Sequence, residues 1–334
     1  MMKIAVDAMG GDHAPAVVIK GVEQARDQWP DLEFVLFGDL AQVKPLIQND
    51  ERLTLVQSNS VITNEDEPVK AVRSKKDSSM VMAAQAVKDG AAEAVFSMGN
   101  TGALLATGIF VIGRIKGIDR PALMPTLPTT NPNNVVNLLD AGANAESKAN
   151  YLEQWALMGS IYARDIRGIK EPRVALLNNG SEFDKGDSLH QEVYQRLEAN
   201  PNLNFQGNVE AGFILTDVAD VVVTDGFTGN AVLKATEGMA ALLMNQIKSS
   251  LLNGGARAKL GAVLIKPALG GVKQRFSTSA NGGAVLLGVN APVIKTHGGS
   301  KEAAVVSTIG QIREMLVKKT IPQVIDYLKQ NPIK

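Results

Sequence analysis

Amides, hydroxyls and cations recur at the glycine-rich junctions of this sequence. The clearest junction is Val221-Val222-Val223-Thr224-Asp225-Gly226-Phe227-Thr228-Gly229-Asn230, where an unbroken β-branched run enters a polar turn and then residues of good helix propensity. Such a turn places free backbone N–H groups at the positive end of a helix dipole. An anion, phosphate or carboxylate, is therefore expected against Thr228, Gly229 and Asn230, with Asp225 at the strand end. The alternative is an ordinary capped turn in which the glycines serve only backbone geometry.

The same pattern returns at Ser97-Met98-Gly99-Asn100-Thr101-Gly102-Ala103. Two such cups point to a site that handles an anion. Ahead of them, Lys70, Arg73, Lys75 and Lys76 precede Ser78 and Ser79, cations and hydroxyls beside a helix start, which is phosphate-binding chemistry. Asp7, Asp12 and His13 gather at the end of the first strand, the usual ligand end of an open α/β sheet. Lys185 lies in the loop bounded by Gly180 and Gly186, and His297 opens another strand-to-helix turn. Neither G-x-G-x-x-G with a following acid nor G-K-[ST] occurs, so the cups carry no dinucleotide or nucleoside-triphosphate signature.

The elements that must position these groups alternate strand and helix along the whole chain. Strands are expected at Lys3 to Ala8, Glu33 to Gly38, Arg52 to Gln57, Ala94 to Met98, Val135 to Gly142, Arg173 to Leu177, and near 282–289 and 291–295. Helices are expected at Ala16 to Arg26, Leu40 to Gln48, Met80 to Lys88, Leu104 to Ile112, Ser147 to Arg164, from Ser300 to about Lys318, and at Ile321 to Gln330. The pattern predicts a three-layer α/β/α fold with a mostly parallel sheet. No linker composition appears, so residues 1–334 are read as a single two-lobed catalytic domain on one continuous sheet.

Composition narrows the function. The formal net charge is zero, which argues against a nucleic-acid partner, and the absence of cysteine removes disulfides and a thiol nucleophile. No metal or cofactor is expected. The start is acidic before any signal-peptide core forms, and no apolar run reaches the roughly 18 to 20 residues needed to span a bilayer. A cytoplasmic protein follows. From Gly238 through Lys301 there is no Asp or Glu, while Lys248, Arg257, Lys259, Lys266, Lys273, Arg275 and Lys295 occur among apolar residues such as Leu260, Val263 and Leu264. A basic amphipathic segment at about 248–275 suits an anionic membrane surface or an acidic protein.

These blocks together resemble the bacterial acyl-carrier-protein-dependent phosphate acyltransferases of phospholipid synthesis. The resemblance is carried by Ala5 to Asp12, Ala71 to Met80, Ser97 to Ala103, Leu176 to Gly186, Asp225 to Asn230 and His297-Gly298, in order along nearly the whole chain. It implies acyl transfer from acyl-carrier protein to inorganic phosphate, giving the acyl phosphate used in the first acylation of glycerol 3-phosphate. It also implies a fold like that of phosphotransacetylase and the isocitrate and isopropylmalate dehydrogenases. A homodimer associated peripherally with the membrane is implied as well, where a membrane glycerol-3-phosphate acyltransferase would be its neighbour. Lys185, Asn230 and His297 then stand as catalytic candidates. Phosphate falls to the Arg73 to Ser79 block and the Gly99 to Gly102 cup, leaving open which cup faces the thioester. Two other readings compete: a β-decarboxylating dehydrogenase, with Asp7, Asp140 and Asp225 on a metal and NADH binding as its mark, and a non-catalytic membrane-surface adaptor.

Overall fold

The computed structural model describes residues 1–275 and 282–330. The side chains of Lys273 and Arg275, and residues 276–281 of the acid-free stretch, lie outside the described residues. The first sheet grows from β1 (Met2–Asp7), whose Ile4, Ala5 and Val6 are wholly buried because helices cover both faces. Next come α1 (Ala16–Gln28), β2 (Leu32–Gly38), α2 (Leu40–Val43), β3 (Leu53–Gln57), α3 (Pro68–Ser74), α4 (Ser79–Lys88) and β4 (Ala94–Ser97). After them α5 (Thr101–Thr107) runs into a π-helical turn at Gly108–Ile112, and the short strands β5 (Ala122–Met124) and β6 (Thr126–Pro128) follow.

The second half begins with β7 (Val135–Leu139), α6 (Ala149–Arg167), β8 (Arg173–Asn178), α7 (Ser188–Ala199), β9 (Asn204–Glu210) and β10 (Val221–Val223). The long pair α8 (Gly226–Asn253) and α9 (Ala256–Arg275) precedes β11 (Ala284–Leu287), β12 (Val293–Lys295), α10 (Glu302–Val317) and α11 (Thr320–Gln330).

The strands form two sheets, not the one continuous sheet expected: β3-β2-β1-β4-β12-β11-β5 and β6-β7-β10-β8-β9. The break falls at Pro125, which has no N–H to offer a ladder. On one side of it β5 pairs with β11, and on the other β6 pairs with β7, both antiparallel. Ala141 N–H to the Leu123 carbonyl (2.9 Å) and Leu138 N–H to the Pro125 carbonyl (3.2 Å) still stitch the sheets together. All other pairings are parallel except β11 with β12.

Alternation along the strands builds three layers. Ile4, Val6, Phe34, Leu36 and Phe96 face a core that continues under α1, α10 and α6 and on into the second sheet through Val174, Leu176, Val221 and Val223. Ala5, Val35, Phe37 and Val95 face the opposite core, under α3, α4 and α5. Val222, Ala175 and Leu177 face a third core closed by Leu233 of α8. The largest wholly buried side chain, Trp155 on α6, anchors its Nε1–H on the Arg120 carbonyl at 2.8 Å.

Local differences from expectation have local causes. The helix expected over Leu40 to Gln48 tightens into a 3-10 turn at Lys44–Leu46, because Pro45 cannot donate. The polar stretch before Met80 hides α3, started by Pro68 and capped by the Glu67 carboxylate on two N–H groups. Past Leu233, no described residue of α8 or α9 is buried.

Candidate active site

Where the two sheets part, the strand-end turns of both halves and the first turns of α8 surround a cavity of about 510 Å³. Gly99, Thr101 and Gly102 line it from the turn after β4, Gly142 from the turn after β7, and His297 and Gly298 from the turn after β12. Asn230, Lys234 and Glu237 of α8 lie across from them. Strand C-terminal ends are the expected ligand side of an open α/β sheet.

The Gly99 turn is held from beneath. Asp7, at the end of β1, accepts hydroxyl hydrogen bonds from Ser79 (2.5 Å) and Ser97 (2.7 Å), and Ser97 Oγ accepts the Gly99 N–H at 2.9 Å. Burial pushes the Asp7 carboxyl above its ordinary range, against those donors. Gly10 and Gly99 pack so closely that a Cβ on Gly10 would fall 2.7 Å from the Gly99 nitrogen. Asp7 therefore supports the turn from the core, whereas Asp12 is exposed on the cavity wall.

Asp140 plays the same part for the second sheet. Its buried carboxylate accepts the N–H groups of Leu123 (2.9 Å), Ala143 (3.0 Å) and Asn144 (2.8 Å), joining β5 to the turn after β7. Burial raises this carboxyl too. The turn brings Gly142, at φ 111°, against Asn230: a Cβ there would meet the Asn230 Cβ at 3.0 Å.

Several expected roles are redistributed. At α8 the cup is filled by the chain itself. The Thr228 N–H goes to the Asp225 carboxylate (2.9 Å), the Gly229 N–H to the Asp225 carbonyl (2.9 Å), and Gly229 is pressed under Asp140. Thr228, Gly229 and Asp225 do not line the cavity, whereas Asn230 does. Asn100 caps α5 through the Ala103 N–H (2.9 Å) and donates its amide to the Thr63 carbonyl (3.1 Å), so it is engaged in the loop.

The cation block is likewise turned away. Arg73 and Lys76 are exposed and do not line the cavity; Arg73 lies over the Phe110 ring, 5.6 Å from its centroid. Lys75 pairs with Asp66 at 2.6 Å. Ser78 and Ser79 are buried, Ser79 facing Asp7 and Ser78 at the N-cap position of α4 without a side-chain cap bond. Lys185, 4.0 Å from Glu182 and half exposed, sits on the loop after β8 outside the cavity. His297 lies exposed on the rim, its Nδ1 accepting the Gly299 N–H at 3.1 Å.

In the sequence Lys295 stands as one cation of the basic acid-free stretch. It instead ends a buried strand, half-buried itself, and burial together with the Lys234 ammonium brings its pKa down to about 8. The available signal was its register: Val293-Ile294-Lys295 puts a lysine at the mouth of a parallel strand three residues before the Gly298-Gly299 turn.

A family model described as "Fatty acid synthesis protein" matches residues 2–323. A phosphate acyltransferase of Latilactobacillus sakei subsp. sakei is 58% identical over 326 residues, covering 98% of this chain and 97% of its own. That of Limosilactobacillus reuteri is 58% identical over 308 residues, covering 91% and 90%. A phosphotransacetylase from Streptococcus pyogenes superposes with a TM-score of 0.62 at 17% identity, over 96% of this chain and 94% of that one. A branched-chain phosphotransacylase from Enterococcus faecalis does so with 0.59 at 14%, over 95% and 99%. At such identities these two structures speak for the fold, which is the α/β/α architecture expected. With its length matched by the family model and by relatives well above half identical, the chain belongs to the phosphate acyltransferase family.

Proposed function

We propose that this protein transfers a fatty acyl group from the thioester of acyl-carrier protein to inorganic phosphate, releasing acyl phosphate and the free carrier thiol. The observation that carries this reading beyond the family is the cavity between the sheets, which joins glycine turns, two amides (Asn64 and Asn230) and two lysines in a space of about 510 Å³. Phosphate near neutral pH is partly dianionic and needs orientation more than a strong base. One of its oxygens attacks the thioester carbonyl, the C–S bond breaks, and the proton of the hydrogen phosphate ends on the departing sulfur. The transient oxyanion calls for donors fixed in place, a role that suits the Asn230 amide, held against Gly142. His297, on the rim, suits proton delivery to a thiolate whose ordinary pKa is about 8.5.

Lys185, which does not line the cavity, enters this reading through the family pattern, as a cation for the carbonyl side. The test is phosphate-dependent release of free carrier from its acylated form. Loss of most turnover in Asn230→Ala and in Lys185→Ala is the expected result, and activity unaltered by both sinks these roles.

The reading extends to the partners. The exposed aromatic ring of Phe227, in the first turn of α8, supports a homodimer contact there. Leu260, Val263 and Leu264 lie exposed at helical spacing on α9, with Lys259 and Lys266 beside them. No helix of the described residues is long and apolar enough to cross a membrane. The exposed apolar side chains and neighbouring lysines of α9 support contact with an anionic bilayer surface.

A further inference from the structure

Lys295 is the last residue of β12 and lines the cavity, where its Nζ donates to the neighbouring Thr296 carbonyl at 3.1 Å. Among the described residues it forms no salt bridge. Lys234, on the opposite wall, is tied to Glu237 at 3.2 Å and still acts on Lys295 as a like charge. The remaining charges felt at Lys295 are the carboxylates of Asp12 and Glu237, and His297 shares its wall. Two ammonium groups facing one space from opposite lobes, one half-buried and without a salt bridge, repel each other until an anion lies between them.

Resting on the acyltransferase reading, we infer that Lys295 and Lys234 clasp the inorganic phosphate dianion across the cavity. The phosphate site thus moves from the Arg73 to Ser79 block, none of which lines the cavity, to the gap between the sheets. A lysine here acts as a point charge on a dianion, and its loss removes ground-state binding more than chemistry. Burial and Lys234 bring Lys295 down to about 8, so phosphate capture weakens as the pH rises through that value.

The test is steady-state kinetics with phosphate and acyl-carrier substrate varied separately, for wild type, Lys295→Met, Lys295→Arg and Lys234→Gln. Lys295→Met is expected to raise the KM for phosphate by about tenfold or more, as for loss of one charge-assisted contact, with kcat at saturating phosphate and the KM for the acyl carrier near wild type. Lys295→Arg, charged at every working pH, is expected to keep phosphate affinity and abolish its weakening above pH 8. Calorimetric titration of inorganic phosphate, without acyl carrier, reads the same loss in Lys295→Met and Lys234→Gln even where turnover is too slow to measure. An unchanged phosphate KM in Lys295→Met overturns the inference. So does a rise confined to the acyl-carrier KM, which would place a phosphate group of the carrier there instead. Wild-type protein showing no phosphate-dependent carrier release would overturn the acyltransferase reading itself.

Discussion

Ser97 donates its hydroxyl to the Asp7 carboxylate at 2.7 Å while accepting the Gly99 N–H on the same oxygen at 2.9 Å. One serine thus carries the rigidity of β1 into the cavity wall. Its removal leaves a buried carboxylate short of a donor and a turn N–H without its acceptor. Ser97→Ala is expected to cost about 1.5 to 3 kcal/mol of stability, read by urea unfolding, and to lower kcat/KM because the Gly99 turn loses its support.

Asp7 itself gives a pH signature. Burial raises its pKa in the folded chain above the ordinary 3.8, so the fold favours the protonated carboxyl. The stability this contributes is present below the unfolded pKa and is lost as pH rises through the folded one. Asp7→Asn removes that slope. Measured by thermal unfolding from pH 4 upward, the difference between variant and wild type should move in the variant's favour; a constant difference would contradict the sign.

Lys295 supplies a counterpart at alkaline pH. Its folded pKa of about 8 lies below the ordinary 10.5, so its contribution to stability is present above the unfolded value and lost as pH falls through about 8. Lys295→Met is therefore expected to melt higher than wild type at pH 7, with the advantage shrinking toward pH 10. Differential scanning fluorimetry across that range checks it.

Gly142 combines a φ of 111° with a Cβ position 3.0 Å from the Asn230 Cβ. Alanine there meets both backbone strain and the side chain whose placement matters. A destabilisation of about 1 to 2 kcal/mol is expected, with a loss of turnover larger than that stability change explains. Turnover at the wild-type level with reduced stability would separate Asn230 from the reaction.

The exposed face of α9 predicts a separate defect. Leu260→Glu and Val263→Glu, at positions 65% and 69% exposed, should leave folding and turnover on soluble substrate intact. Co-sedimentation with anionic liposomes should fall strongly in both. Unchanged co-sedimentation would remove the lipid contact from this helix.

Much of the fold was legible because its signals are local. Ile4-Ala5-Val6 and Val221-Val222-Val223 are apolar without alternation, and only strands covered on both faces read that way. Glycine-rich turns follow β4, β10 and β12 as expected, and the acid-free run marks the helices whose outer faces stay exposed. The strands beside Pro125 and the helix begun at Pro68 were hidden, since each is short and punctuated by proline.

The sequence by itself determined that strands would end in glycine-rich polar turns, because β-branching, glycine and helix propensity act within a few residues. Only the tertiary structure decided which turns keep their donors free. At α8 the Thr228 N–H is spent on Asp225, three residues back, and at α5 Asn100 is spent on Ala103. Side-chain direction was also decided there. Ser79 turns toward Asp7, 72 residues away, while Lys295 enters the space between two sheets whose separation at Pro125 no local pattern reveals. Charge and hydroxyl content are properties of composition, but an anion site needs unspent donors converging from distant segments, and that convergence exists only once the sheets are assembled.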